Sequence, residues 1–500
     1  MRSEDENYPL LTGLYPATGP RRNPKSRWER FREPSPAWII CTFAIYQFVF
    51  GILTVPELNA TLALICHQKY PERRAPRDEH TNPDLYTELG RCLGNKYAQA
   101  DQSKFFVYNQ VISGILGAIS TPFLGSLSDL IGRRRIMALA VLGPLFSQCL
   151  TLFVMRHADT VDMNWLLVGY AVDGLSGSMI VAMSTSSAYI TDIAHHTDRP
   201  RLFSYLYASM SFSGAMGPLV SGFLLKTQNP LDKIYRITIC ANTFMAMVFL
   251  HILPESRWSQ LVGEDKPIGS DTDESDTSSV HGLLQSLQSL WTSSASRKAN
   301  MVILAILGFF VIGFMMSLMP LQLRFGAFWF NWQPTTQSFF MALLFSWSIF
   351  VLVVIFPTAM SLAHRWGMRR GITNISAVFN IGELGAIQVS LLLQVIGTMG
   401  MALARSPTSY VITSLIAVSA SPLAPLLTSC LTAHAPRHQS GQILGGLSFL
   451  NAIGRISIPA ALNATYSLTI GIYPVPLFAI VAGAYACLFI LSFFLKQHTL

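Results

Sequence analysis

The sequence predicts an all-α membrane protein: twelve transmembrane helices in two six-helix bundles. Three observations carry this. The 500-residue chain is 51% hydrophobic and only 12% charged, with a mean hydropathy of +0.40, whereas soluble domains carry roughly a quarter charged residues. Its apolar residues gather in runs of about 20, the length a helix needs to cross a hydrocarbon layer of roughly 30 Å. The runs also fall into two sets of six around a polar stretch, and each set has a glycine-arginine turn after its second member.

Residues 1–36 are polar, proline-rich and basic, with Arg21, Arg22, Lys25, Arg27, Arg30 and Arg32. They predict a disordered cytoplasmic tail. They do not read as a signal peptide, because the next apolar run is long and lacks a small-residue cleavage site. The first bundle, 37–253, holds runs at 38–61, 105–127, 136–155, 165–190, 202–225 and 237–253, with a hydrophilic loop at 66–101.

Residues 254–299 form a central cytoplasmic loop. Its acidic, serine-rich stretch at 270–279 cannot pack a core, which makes Ser270, Thr272 and Ser275 candidates for phosphorylation. Leu283, Leu284, Leu287, Leu290 and Trp291 then recur at helical spacing, predicting an amphipathic helix on the inner membrane surface or packed on protein. The second bundle, 300–496, holds runs at 301–321, 339–362, 372–396, 410–431, 443–466 and 476–495.

The net charge is +8, but the basic residues lie in short loops and the tail and form no nucleic-acid-reading face. Most Lys and Arg fall on the segments that an inside N-terminus places inside, so both termini are expected there. The partner this composition implies is the lipid bilayer.

The turn GSLSDLIGRRR at 125–135 joins the second and third runs. Gly125 permits close helix approach, Gly132 permits a backbone reversal, and Asp129 can accept from an arginine or sit at a helix N-terminus. MSLAHRWGMRR at 360–370 repeats the pattern: Gly367 matches Gly132, Arg369 and Arg370 match Arg134 and Arg135, and His364 stands where Asp129 does. Such internal duplication is a property of transporter folds.

The first turn is similar to the loop signature of the major facilitator superfamily. In that resemblance Asp129 and Arg133 take the charged positions that gate inward and outward states. Gly214, Gly217, Pro218 and Gly222, in GAMGPLVSG, resemble the superfamily's glycine-proline motif and predict a flat helix-packing face. LICHQKY at 64–70, Cys92, and YITDI at 189–193 look like the branch containing the proton-coupled folate transporter and its fungal relatives.

Charged groups inside apolar runs are expensive and point to function. Asp173 is a candidate proton carrier or a structural hydrogen-bond partner. Arg455 cannot shed its charge and needs an anion, whether Asp173, Glu57 or a cargo carboxylate. Glu57, beside Pro56, reads as an interfacial, solvated glutamate with a gate or proton role as the alternative. Glu383 reads as a structural pair. Cys66 and Cys92 both fall on the outer face in this topology and are expected to form a disulfide.

These readings together predict a secondary active transporter of a small organic solute, proton-coupled and working by alternating access. A proton antiporter exporting drugs or toxic metabolites is the alternative. A monomer in the plasma membrane, rather than a vacuolar or other organelle membrane, is expected. No phosphate-binding GxxxxGK[ST] and no HExxH is present. The histidines at 195, 196, 434 and 438 have no ligand set around them, and the cysteines have no zinc spacing. Neither an enzyme nor a cofactor or metal site is therefore expected.

Overall fold

A backbone in hydrocarbon must satisfy its own hydrogen bonds, so apolar runs of this length fold as helices. The computed structural model describes residues 34–70, 85–194, 199–256, 295–369, 381–434, 440–472 and 476–495, and within them shows helices and no strand. The helices of the first half are α1 (Pro36–Lys69), α2 (Leu85–Cys92), α3 (Lys96–Ile131), α4 (Arg133–Arg156), α5 (Leu166–Ser176), α6 (Ser178–Ile193), α7 (Arg199–Leu224) and α8 (Pro230–Met247). The second half comprises α9 (Ala295–Phe330), α10 (Pro334–Phe350), α11 (Phe356–Arg369), α12 (Ile381–Leu403), α13 (Pro407–Val418), α14 (Leu423–His434), α15 (Ser440–Thr469) and α16 (Pro476–Ser492). Among the described residues nine helical segments are long and apolar enough to cross a membrane, and Pro476–Ser492 is a shorter apolar helix.

Several boundaries differ from the sequence reading. The first run does not stop at 61: α1 continues to Lys69, ending with His67 and Lys69 in its last turn, where cations suit the helix dipole. The expected loop at 66–101 is therefore partly helical. It holds α2 and the start of α3, whose N-cap Asn95 accepts from the Tyr97 amide at 3.0 Å. The seventh run begins at Ala295, inside the stretch assigned to the central loop, and continues past 321 to Phe330. The polar Gln322 and Arg324 interrupt the hydropathy but not the helix. The fourth run is broken at Gly177, which takes φ +69°. The second glycine-arginine stretch is helical through Arg369, where a turn was expected. Residues 270–291, with the phosphorylation candidates and the amphipathic stretch, lie outside the described residues.

The packing separates two bodies. One buried apolar cluster gathers the second half, from Met301 to Leu495. Others gather the first half around Phe43, Tyr46 and Val141, or around Leu62, Phe105 and Leu166. Among the described residues the clusters cross between halves where Val55, Leu58 and the partly buried Phe106 join the second-half core and Ala327 joins a first-half one. Elsewhere the halves meet helix to helix, α7 against α10 and α3 against α15.

Glycines set these crossings. Gly217 of α7 lies against Gly51 of α1, where a Cβ would come within 2.7 Å of the Gly51 Cα. Gly214 and Gly222 lie against Phe345 and Phe339 of α10, and Pro218 sits within α7. Small residues thus admit both neighbours of α7 at close range.

Candidate functional site

The two ends of the molecule are built differently. At one end Cys66 and Cys92 are disulfide-bonded with their Cα atoms 6.3 Å apart. Beside them His67 sits between Glu88 (2.8 Å) and Asp159 (3.0 Å). Tyr70 donates to Asp101 at 3.3 Å; burial and then the Asp101 carboxylate push its hydroxyl up to about 12, so it remains a donor at neutral pH. The halves touch here. Asn59 donates to the Gln337 side chain at 3.0 Å, and Arg324 donates to Ser103 at 3.0 Å.

At the other end lies the turn at 125–135. Gly132 caps α4 with φ +99°, a conformation that favours glycine. The Glu255 carboxylate accepts from the amides of Arg133 (2.9 Å) and Arg134 (3.2 Å), so it caps the positive end of α4. A side chain at 132 would collide with that carboxylate. Arg133 pairs with Asp129 at 2.6 Å and with Asp192 at 3.1 Å, and it donates to Ser128 at 2.5 Å. Ser256 donates to Asp192 at 3.0 Å. The Asp129–Arg133 pair thus ties the last turn of α3 to the first turn of α4. Asp129 keeps 52% of its side chain exposed and Leu130 is 81% exposed. Gly125 sits in open space. His364, Gly367 and Arg369 belong to α11; their side chains lie outside the described residues.

Between the ends, the break in the fourth run places Asp173 one turn before Gly177 and faces it with Ser178, the first residue of α6. Its Oδ1 is buried without a hydrogen-bond partner. Glu57 of α1 is close enough for its charge to act on Asp173, and Tyr170 of α5 is its hydrogen-bonding neighbour. The sequence reading of Glu57 as an interfacial, solvated group is corrected: it is half-buried, with twelve residues of α1 still to follow. The reading failed because it ended the helix too early. Irregular backbone at membrane depth persists where it lines a cavity or is packed in protein, and broken helices of this kind hold ions and substrates.

Arg455 of α15 is half-buried, with its Nε buried and unpartnered and Tyr207 of α7 beside it. The structure does not bring it into an ion pair with Asp173 within the described residues. Glu383 lies in the first turn of α12, near a helix end.

Sequence reasoning missed three residues. Asp192, quoted only within a motif, and Glu255 fix the arginine turn. Arg324 was left in a loop after 321, yet it is 1% exposed within α9. The signal that could have placed it is the aromatic stretch FGAFWF at 325–330, which continues the apolar run beyond a lone charge. Among the described residues no cluster of His, Cys, Asp and Glu could hold a metal ion.

Two helical bodies that meet along α7–α10 and α3–α15, with charged groups held inside apolar helices between the ends, define a membrane protein of transporter architecture. The chain belongs to the major facilitator superfamily, whose model matches residues 108–459. It is 39% identical to the MFS-type transporter avaJ of Aspergillus versicolor, covering 99% of this chain and 95% of the relative. It is 27% identical to the proton-coupled folate transporter of Bos taurus over 29% of this chain and 32% of that protein. The human organic anion transporter MFSD10 shares the fold, with a TM-score of 0.57 at 17% identity over 93% of this chain and 99% of that one. The protein is accordingly a membrane transporter of this superfamily and not an enzyme.

Proposed function

We propose that the chain is a proton-coupled secondary transporter of a small organic anion, with twelve spans alternating access between its halves, acting as a monomer in the plasma membrane. The disulfide end faces outward and the arginine turn faces the cytoplasm. Asp173 carries the proton, with Glu57 as its neighbour, and Arg455 takes the anionic group of the cargo. The single observation behind this is the placement of Asp173: an acid with an unpartnered buried oxygen, set at a helix break. A carboxyl so placed loads and releases a proton as its surroundings change.

In the state described here Asp173 and Arg455 are apart. The reading has them approach when the halves rearrange, and an anion that occupies Arg455 leaves Asp173 to a proton. The bovine relative's name makes folate the first probe, followed by a panel of small carboxylic acids in proteoliposomes. Asp173→Asn keeps exchange of the transported acid but loses accumulation against its gradient, while Arg455→Ala lowers binding by about a hundredfold, as loss of a buried charged partner does. If Asp173→Asn still concentrates cargo on a proton gradient alone, Asp173 is not the coupling residue. The same assay separates symport from drug or metabolite efflux by antiport, because an inward proton gradient then drives export from the vesicle.

A further inference from the structure

Arg324 is a fully buried cation whose hydrogen bonding is half complete. Its Nη1 donates to Ser103 of α3 at 3.0 Å and to Asn463 of α15 at 2.6 Å, and its guanidinium lies 4.3 Å from the centre of the Phe106 ring. These neutral groups and one π face offset part of the desolvation of a buried charge. Nε and Nη2 are buried and have no partner, and neither does the hydroxyl of nearby Tyr466. No carboxylate among the described residues pairs with it. An arginine cannot escape by losing its proton.

The edge left open is informative. Nε–H and Nη2–H point the same way from the planar guanidinium, and together they form the fork that grips a carboxylate through two parallel hydrogen bonds. Nη1 meanwhile ties α9 and α15 of the second half to Ser103 of the first. This contact, together with Asn59–Gln337, closes the disulfide end. In the closed state solvent does not reach the fork. Parting α3 from α9 would break the Ser103 bond and lift the Phe106 ring from the guanidinium face.

We propose that Arg324 is a carboxylate-binding subsite at the disulfide end, available only when that end is open. It is separate from the Arg455 site. The proposal rests on the alternating-access reading. A carboxylate that binds one state alone holds that state in proportion to its affinity, so an acid arriving from this side stabilises the open end.

The test uses full-length protein in Arg455→Ala background, which removes the other arginine, with benzoate as probe and thermal stability as readout. Benzoate should stabilise the protein saturably, while the neutral isostere benzamide should not. Adding Arg324→Lys, which keeps the charge and loses the fork, should weaken benzoate by about tenfold or more. Ser103→Ala should not weaken it. An undiminished benzoate effect in Arg324→Lys overturns the site, and chloride acting as well as benzoate overturns its bidentate carboxylate character.

A second measurement leaves Arg324 intact. Joining Asn59→Cys to Gln337→Cys with a short bifunctional thiol reagent holds the end closed, and the benzoate effect should vanish. Equal binding to the joined protein overturns the dependence on an open end. Neither measurement involves proton gradients. Failure of Asp173 as the coupling residue would leave this result standing, and the reverse holds as well.

Discussion

The two halves repeat one architecture and differ in the charges they hold within it. The first half places two acids, Glu57 and Asp173, among the hydroxyls of Tyr170 and Ser178. The second places two arginines, Arg324 and Arg455, on helices that face the first half. The glycine-arginine stretches diverge likewise. Gly132 reverses the backbone and α4 starts from a carboxylate cap, whereas Gly367 lies inside α11. Both halves are thus built of packed helices, while the buried acids lie on one and the buried arginines on the other. A transporter that moves a proton with an anion has a use for that asymmetry, since opposite walls can exchange partners as they move.

The disulfide gives the comparison its largest stability test. Cys66–Cys92 closes a segment of 26 positions, and Cys487 of the second half is not disulfide-bonded. Removing such a bond costs about 2–4 kcal/mol. The His67 clamp to Glu88 and Asp159 lies beside it. Cys66→Ser should lower thermal stability by an amount in that range, and Cys487→Ser, at an exposed position, should change it little. Equal losses would mean that the first half owes nothing particular to its covalent tie.

A smaller effect separates the two glycines. Gly132→Ala places a side chain at φ +99° and against Glu255, so it should destabilise by about 1–3 kcal/mol, the range for strained left-handed residues. Gly367 sits in a helix, where alanine is intrinsically favoured by about 1 kcal/mol. Thermal unfolding of the two variants should therefore move in opposite directions or leave Gly367→Ala unchanged. A matching loss at both positions would show the two stretches to be structurally alike after all.

The fold was legible because hydropathy and helix length are local properties. Runs of apolar residues, a polar middle and a repeated turn suffice to write down two bundles. The candidate site was legible only in part. Asp173 and Arg455 stand out as charges in apolar surroundings, but whether they pair depends on which conformation the halves adopt, and no residue pattern encodes that. Glu57 and Arg324 were misplaced for one shared reason: a hydropathy window ends a helix at its first polar cluster, whereas the real helix continues when tertiary partners receive those side chains. For Arg324 the partners come from α3 and α15, some 221 and 139 positions away. Glu255 carried no signal, since its role as the cap of α4 exists only after the chain has folded back across the bundle.

The smallest stability effect belongs to Asp129, and it sharpens the contrast between the arginine turn and the buried charges. Its pair with Arg133 is short, 2.6 Å, but the Asp129 side chain is 52% exposed. Arg133 also keeps Asp192 and Ser128 as partners. An exposed pair of this kind contributes less than about 1 kcal/mol, so Asp129→Ala should fold and reach the membrane as the parent does. Its effect should instead fall on the balance of states. The gate reading gives Asp129 a charge-assisted contact between the halves once the arginine-turn end closes, and loss of that contact favours the open arrangement. Leu130, exposed here at 81%, supplies the reporter: a Leu130→Cys thiol should label faster in Asp129→Ala than in the parent, and transport should slow by several-fold as closure becomes harder. Parental labelling together with parental transport would leave Asp129 as a surface partner of Arg133 and remove it from the gate.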